Sequence, residues 1–385
     1  MTENLEKLDA DLVVVGAGML GLAHAQEALR RGLSVVVLER EAQPVGASVR
    51  NFGHLFFAAS AAGEALACAW RARERWLELA ACAGLWMEHA GTVVIARAPD
   101  ELAVLEAAAA EPERAGEMLT AAQVGELLPL PTGEILGAFH GTRDLRVDPR
   151  GAVTAIAELV ARDPRAQLRW RTHVHEIEPG AVHARGLTVS APLIIVCPGP
   201  DYRWLPPSVR TGLEHLTLCQ LQMLRVAAPA GRRYRNALAT GLSLVRYPGF
   251  ASQPAAAALR RRLEEQRPEL LELGIHLLVT QLPDGDLVIG DTHTYGETLA
   301  PFGRERLDNL LLAEACALLG VDALELRERW HGIYPAVRDH QGLPFTVTAP
   351  LPGVRVVQNI GGIGMTMALG QAPTVLDGLL APSLV

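Results

Sequence analysis

Asp11-Leu-Val-Val-Val-Gly16-Ala-Gly18-Met-Leu-Gly21-Leu-Ala-His-Ala-Gln-Glu-Ala-Leu29-Arg-Arg-Gly32-Leu-Ser-Val-Val-Val-Leu-Glu39 is the stretch from which the fold is read. Its first apolar run, Leu12 to Val15, has the continuous hydrophobicity of a strand buried on both faces. The pattern Gly16-x-Gly18-x-x-Gly21 follows directly, Leu22, Ala25 and Leu29 recur at helical spacing, and Gly32 closes the helix. A second apolar run, Val35 to Leu38, stops at the acid Glu39. Strand, turn, helix and strand together make a unit that can hold a dinucleotide. Gly16 permits the tight turn, Gly18 lets the backbone approach a pyrophosphate, and Gly21 lets helix and strand pack closely. The helix N-terminus, from Met19 and Leu20, turns unpaired N–H groups towards the phosphates, and Glu39 stands where a carboxylate accepts from ribose hydroxyls.

The remainder of the composition narrows the class. A chain of 385 residues, 49% hydrophobic and 20% charged, suits a soluble globular protein of two or three domains. The net charge of −8 speaks against a nucleic-acid partner, which requires a basic surface. No stretch is long and apolar enough to span a membrane, and the N-terminal segment is acidic where a secretory signal is basic. A cytoplasmic location is the expectation. The five cysteines form no C-x-x-C pair, so free thiols are expected. Lys7 is the sole lysine and precedes the first dinucleotide strand, which removes a Schiff-base lysine and with it pyridoxal chemistry.

Along the chain, parallel-sheet signals sit at both ends and in the middle, at Leu12–Leu38, Leu193–Cys197 and Val354–Gln358. Antiparallel signals fill residues 213–295. They include strand-like runs at 213–226 and 242–247 and a hairpin across Pro283-Asp-Gly285. The reading is an α/β protein. A Rossmann-type dinucleotide domain with a parallel sheet (1–85, 149–212 and 330–385) is interleaved with an α+β substrate domain whose sheet is mostly antiparallel (86–148 and 213–329). Helices are expected over 62–84, 101–110, 120–128 with Thr120 as N-cap, and 304–319. Another opens at Val147-Asp148-Pro149, and 255–271 reads as a solvated charged helix. His173 and His175 share a strand face without a third ligand, so no metal site is read from them.

Several motifs then converge in order: Gly16-x-Gly18-x-x-Gly21 with Glu39, Gly46-Ala-Ser48, Val147-Asp148-Pro149, Cys197-Pro-Gly199, Gly290-Asp291-Thr-His293, Trp330-His-Gly332-Ile-Tyr334-Pro335 and Gly361-Gly-Ile-Gly364-Met-Thr366. With them the chain resembles the FAD-dependent amine oxidases that include D-amino acid oxidase, glycine oxidase and monomeric sarcosine oxidase, over essentially its whole length. The resemblance implies FAD held by Gly16, Gly18, Met19, Leu20, Gly21, Glu39, Arg40, Ser48, Gly53, Val174, Pro198, Gly199, Gly361, Gly362, Ile363, Gly364, Met365 and Thr366. The second glycine cluster opens a second helix, whose positive end favours the anionic reduced flavin.

The departures carry equal information. Gly332 stands where the covalent sarcosine branch carries its flavin-linking cysteine, so noncovalent FAD is expected. That branch's lysine for reaction with oxygen is missing, which leaves O2 or another acceptor open. Tyr334 replaces the arginine that clamps a substrate carboxylate in the glycine oxidase and D-amino acid oxidase branches, and Thr366 replaces the sarcosine branch's basic residue. The run Ser48-Val-Arg50-Asn51-Phe-Gly53, with the two later motifs, resembles a subgroup associated with aminophosphonate breakdown. This implies oxidative deamination of 2-aminoethylphosphonate or its N-methyl form to an aldehyde plus ammonia or methylamine. Arg50, Asn51, His54, Thr366 and Arg338 are the candidate substrate donors. His293 is the candidate base, Asp291 its orienter, and Tyr334 borders the substrate. Two alternatives stand beside this: oxidation of a small or N-methylated amino acid held by a relocated arginine such as Arg50 or Arg246, and a flavin-binding subunit or redox sensor without turnover.

Overall fold

The computed structural model describes residues 5–337 and 342–381. At its centre the strands Leu12–Val15 and Val35–Leu38 pair in parallel, joined by the helix Met19–Arg30. The sheet grows outward on both sides. Its order is Ala166–Arg169, Val35–Leu38, Leu12–Val15, Leu193–Val196, Val354–Asn359 and Phe345–Thr348, and only the last strand runs antiparallel. Four helices cover one face: Met19–Arg30, Glu64–Ala83, Pro149–Arg162 and Gly364–Leu380, whose apolar sides form one core with Leu12, Val14, Val35 and Val37. On the other face Val13, Val36 and Leu38 pack on a four-stranded sheet that includes Val174–Glu178 and Leu187–Ser190. Both faces are therefore dry, as the all-apolar strands require.

A nine-stranded sheet forms the second body of the fold. Every pairing in it is antiparallel except that between Ala237–Ala239 and Thr92–Ala96. Its longest ladder joins Thr217–Val226 to Leu326–Ala336. The hairpin Leu278–Gln281 and Leu287–Gly290 turns where Pro283-Asp-Gly285 marks it, with Gly285 at φ +99°. The fold class is thus α/β, a Rossmann-type parallel sheet with a mostly antiparallel second sheet.

Local expectations agree with the structure where the signal is local. Thr120 caps Ala121–Leu127 through a capping box with Gln123. Asp148 accepts the N–H groups of Arg150 and Gly151 ahead of Pro149–Arg162. Two expectations fail. Residues 242–247 are not a strand: Gly241–Leu244 and Pro248–Ala251 are short helices, since Pro248 opens a helix and has no N–H to give a ladder. The charged helix over 255–271 breaks into Ala256–Gln266 and Pro268–Glu272 at Arg267, because the residue before a proline avoids helical geometry. It is also not merely solvated, as Arg262 pairs with Asp100 at 2.7 Å and Glu101 at 2.9 Å.

The helices Glu64–Ala83 and Gly364–Leu380 touch backbone to backbone at Gly370, where a Cβ would overlap the Cys68 carbonyl and lie 2.9 Å from the Ala72 nitrogen. Gly370→Ala is expected to cost about 1–3 kcal/mol through overpacking. A urea melt checks this, and an unchanged midpoint at unchanged slope would show that the two helices separate freely.

Candidate active site

The strands Leu12–Val15 and Leu193–Val196 continue from one edge into Met19–Arg30 and from the other into Pro198–Gly199, so a crevice opens at their C-terminal ends. Gly16 turns there at φ +103°, and a Cβ on it would lie 2.5 Å from the Cys197 carbonyl oxygen. A Cβ on Gly21 would overlap the Gly16 carbonyl, and one on Gly18 would lie 3.1 Å from Ser48 Oγ. Ser48 Oγ accepts from the Met19 N–H at 2.9 Å, which ties the loop after the second strand to the first turn of the helix. Glu39 accepts from Ala17 N–H at 2.8 Å and Glu41 N–H at 3.0 Å, and Arg40 pairs with Asp201 across the rim at 2.6 Å.

Gly16, Gly18, Met19, Leu20, Gly21, Glu39, Arg40, Ser48, Val174, Pro198, Gly199, Gly362, Ile363, Gly364, Met365 and Thr366 all line this cleft. Two residues expected on the cofactor do not. Gly53, at φ +66°, packs on the Val147 carbonyl and the Pro149 ring, so its missing side chain serves packing. Gly361 lines a second cavity further out. The cleft suits a dinucleotide: its glycines leave the helix N-terminus bare, an acid stands at the end of the second strand, and the Gly362–Gly364 turn brings a second helix N-terminus to the far end. Gly332 lies on the cleft wall, and Cys197 is the cysteine among the described lining residues.

The outer cavity, about 800 Å³, falls in the range of small-molecule sites. Phe56, Tyr247, Tyr334 and Ile363 line both spaces and so form the partition between them. Arg246 lies just beyond the partition. Its guanidinium donates to the Tyr334 hydroxyl at 3.0 Å and is 3.3 Å from that of Tyr295. Tyr334 faces Cys219 across the long ladder and leans on Gly362, where a Cβ would lie 3.0 Å from its ring.

Asp291 ends the hairpin strand, is 4% exposed and lines the cofactor cleft. His276 and His293 line the outer cavity, with rings stacked 5.0 Å apart. His276 Nε2 is 3.0 Å from Asp291 Oδ1, while His293 Nδ1 is 3.9 Å from the same oxygen and 2.8 Å from the Gly274 carbonyl. A carbonyl only accepts, so Nδ1 of His293 carries the hydrogen and Nε2 the lone pair. Burial, reinforced by Arg246, holds both imidazoles well below their usual range. Burial lifts the Asp291 carboxyl to about 7, against the opposing pull of Arg246.

The other expected substrate residues lie elsewhere. Arg50, Asn51 and His54 line the cofactor cleft but not the outer cavity. Asn51 closes its own loop, donating to the Ala47 and Ser48 carbonyls at 3.1 and 2.9 Å and accepting from Gly53 N–H. Arg50 reaches the His331 carbonyl at 3.4 Å. His54 is buried 2.7 Å from Thr92 Oγ1 and stacked on Phe56; burial, with Arg146 nearby, takes its pKa down to about 3, so it is neutral. Thr366 is buried in the first turn of the last helix, on the cleft wall. Arg338 lies outside the described residues. His173, exposed, reaches the cleft rim. Sequence reasoning missed His276, Tyr247 and Tyr295. None sits in a motif: His276 meets Asp291 across the hairpin, Tyr295 is placed by the pairing of Thr294–Gly296 with Thr217–Val226, and Tyr247 arrives from the loop between two short helices.

A glycine-cradled dinucleotide cleft opening onto a polar small-molecule cavity defines a flavin-type oxidoreductase. The chain belongs to the DAO family of FAD dependent oxidoreductases, whose family pattern matches residues 11–373. It is similar in structure to L-proline dehydrogenase from P. horikoshii (TM-score 0.80, 16% identity, 97% of this chain and 94% of that one). It is also similar to glycine oxidase from Geobacillus kaustophilus (TM-score 0.76, 20% identity, 97% and 95%). An FAD-bound L-alpha-glycerophosphate oxidase from Mycoplasma pneumoniae shares the fold as well (TM-score 0.76, 16% identity, 96% and 94%). No curated protein sequence matches the chain.

Glu39→Ala is expected to weaken FAD binding by about 1.5–3 kcal/mol, the scale of a hydrogen bond to a charged group. Titration of the apoprotein with FAD measures it, and an unchanged Kd in a folded variant would remove Glu39 from the ribose role.

Proposed function

We propose that this protein oxidises the C–N bond of a small amine that carries an anionic group, most specifically an aminophosphonate such as 2-aminoethylphosphonate or its N-methyl form. The observation that carries the reading is Arg246, a half-buried guanidinium held by tyrosine hydroxyls beside the cofactor cleft. A guanidinium partly withdrawn from water and facing a cavity is a ready partner for an opposite charge. The carboxylate-clamping arginine missing at Tyr334 is thus replaced by an arginine from another element that reaches the same hydroxyl.

The position of Arg246 favours a phosphonate. Arg246 and Tyr295 line the outer cavity only, with Tyr334 and Tyr247 standing between them and the cleft. An anion held there is set back from the reacting carbon, which suits the two-carbon spacer of an aminoethylphosphonate better than the adjacent carboxylate of an α-amino acid. A tetrahedral dianion also uses donors from several directions, and one guanidinium with two tyrosine hydroxyls supplies them. The second reading, a small or N-methylated amino acid, draws on the same arginine, since a guanidinium also matches a carboxylate.

FAD when bound supplies the two-electron oxidation of the carbon next to nitrogen. The protein supplies the rest. Arg246 fixes the acidic end, the partition of Phe56, Tyr247, Tyr334 and Ile363 limits water, and the buried Asp291, with His276 against it, stands ready for the ammonium proton, which must leave before oxidation. The imine product then hydrolyses to an aldehyde and ammonia or methylamine. Gly332 on the cleft wall, in place of a cysteine, is the reason to read the FAD as noncovalent, and O2 or another acceptor takes the electrons onward.

The test is anaerobic flavin reduction by a panel of amines. Aminoethylphosphonates are expected to bleach the flavin faster than glycine, sarcosine or D-alanine; faster reduction by any of those three establishes the amino acid reading, and no reduction by any amine points to a redox sensor. Arg246→Met is expected to raise the Kd of the reducing substrate roughly 10- to 150-fold, the loss of a charged hydrogen-bond set worth about 1.5–3 kcal/mol. Acid precipitation is expected to release intact FAD into the supernatant, and flavin retained in the pellet would show a covalent link.

A further inference from the structure

Among the described residues, Asp291, His276 and His293 form a buried cluster of three metal-ligating side chains between the cofactor cleft and the outer cavity. Their arrangement is unequal. Only Asp291 lines the cleft, and the two histidines lie behind it. Asp291 Oδ1 and His276 Nε2 face each other at 3.0 Å, and neither atom has another hydrogen-bond partner. Two bare lone pairs at that separation repel in an apolar setting, and one proton between them removes the penalty.

The pair is held firmly in place. His276 and Asp291 exchange backbone hydrogen bonds in both directions, at 2.9 and 3.3 Å. The His276 ring stacks on His293, meets Tyr247 edge-on at 5.5 Å, and has its Nδ1 3.4 Å from Ser243 Oγ. His293 is less suited to receive a substrate proton. It does not line the cofactor cleft, and its Nδ1 hydrogen is committed to Gly274. The three side chains also have the spacing of a metal triad. However, a divalent cation there would meet the field of Arg246, and the His293 nitrogen nearest the other two already donates to Gly274.

We infer that Asp291 is the proton acceptor for the substrate's ammonium group, and that His276 is the positioning residue that shares the accepted proton. This rests on the amine reading given above. The step is a single proton transfer: an N–H bond of the ammonium breaks, an O–H bond forms on Asp291, and the proton then lies between Oδ1 and His276 Nε2. No electron moves in it. The charged or titratable groups facing the pair are Arg246, Tyr247, Cys219 and His293, with Tyr295 stacked beyond His293 and Tyr334 bonded to Arg246. Of these, Arg246 alone carries a charge near neutrality, and it stabilises the ionised carboxylate that awaits the proton.

The sign of the pH dependence follows. With its carboxyl raised to about 7, Asp291 is protonated and unable to accept below that pH and is a carboxylate above it. The flavin reduction rate at saturating amine is therefore expected to rise through about pH 7 and level off. Asp291→Asn, which keeps the shape and removes the acceptor, is expected to slow reduction roughly 10²–10⁴-fold and to abolish that step. His276→Gln should displace the step without abolishing it, and His293→Gln should leave it where it is. If His293→Gln removes the step while Asp291→Asn keeps it, the assignment is overturned.

A second measurement does not depend on the substrate. In the FAD-loaded protein, the His276 ring resonances followed by NMR should report the titration of the shared proton, and Asp291→Asn should abolish or displace it. An identical His276 titration in both proteins overturns the inference, whatever amine the enzyme uses. A coupled titration with no amine able to reduce the flavin would leave the pair standing and refute the substrate reading instead.

Discussion

The helix Met19–Arg30 presses Gly21 against the carbonyl of Gly16 with no room for a side chain between them, and this contact governs the rest of the molecule. It fixes where the first helix begins relative to the first strand, and so where its free N–H groups point. It also leaves Gly16 at positive φ against the Cys197 carbonyl, which sets the gap between the two central strands. A β-carbon at either glycine would force helix or neighbouring strand outward. The cleft that holds the cofactor is therefore a product of backbone packing before any side chain contributes to it.

A second constraint organises the substrate side. Arg246 is a charge partly drawn into the protein, and withdrawing a guanidinium from water is favoured where hydrogen-bond acceptors and an opposite charge are arranged around it. The hydroxyls of Tyr334 and Tyr295 serve as acceptors, and Asp291 contributes negative charge at longer range. Each comes from a different strand of the nine-stranded sheet or its margin. The site is thus assembled by strand pairing.

These two constraints explain what was legible in the sequence. The dinucleotide cleft was readable because its determinants are local: three glycines and an acid within one strand–turn–helix–strand unit, then one further glycine cluster ahead of a helix. Even there, Gly361 faces the outer cavity and Gly53 is held by packing, because a glycine demanded by packing looks the same as one demanded by a ligand. The substrate side was legible in part, through the Gly290-Asp291-Thr-His293 motif and through departures from a resemblance. Tyr334 announced that a clamp was missing, but not that Arg246, 88 positions earlier, reaches its hydroxyl. Arg246 lies in a run read as strand and found as a break between two short helices. His276 had no signal at all, since it becomes significant only once the hairpin sets its ring against Asp291.

The two sites are coupled mechanically through one strand. Leu326–Ala336 is paired along its length with Thr217–Val226, so its side chains have little freedom to shift register. Gly332 and Tyr334, two residues apart, share a face of that strand. Gly332 forms cleft wall, while Tyr334 stands in the partition with its ring on Gly362 and its hydroxyl on Arg246. A displacement of Arg246 therefore bears on Tyr334, and through Tyr334 on the glycine turn that opens the last helix at the far end of the cofactor cleft. Gly362 at φ +74° leaves the space that Tyr334 occupies, and a side chain there would separate ring from turn. Arg246 and the cofactor cradle thus share a wall one tyrosine thick, and on the proposed reading that wall sets the distance between the substrate's acidic group and its reacting carbon.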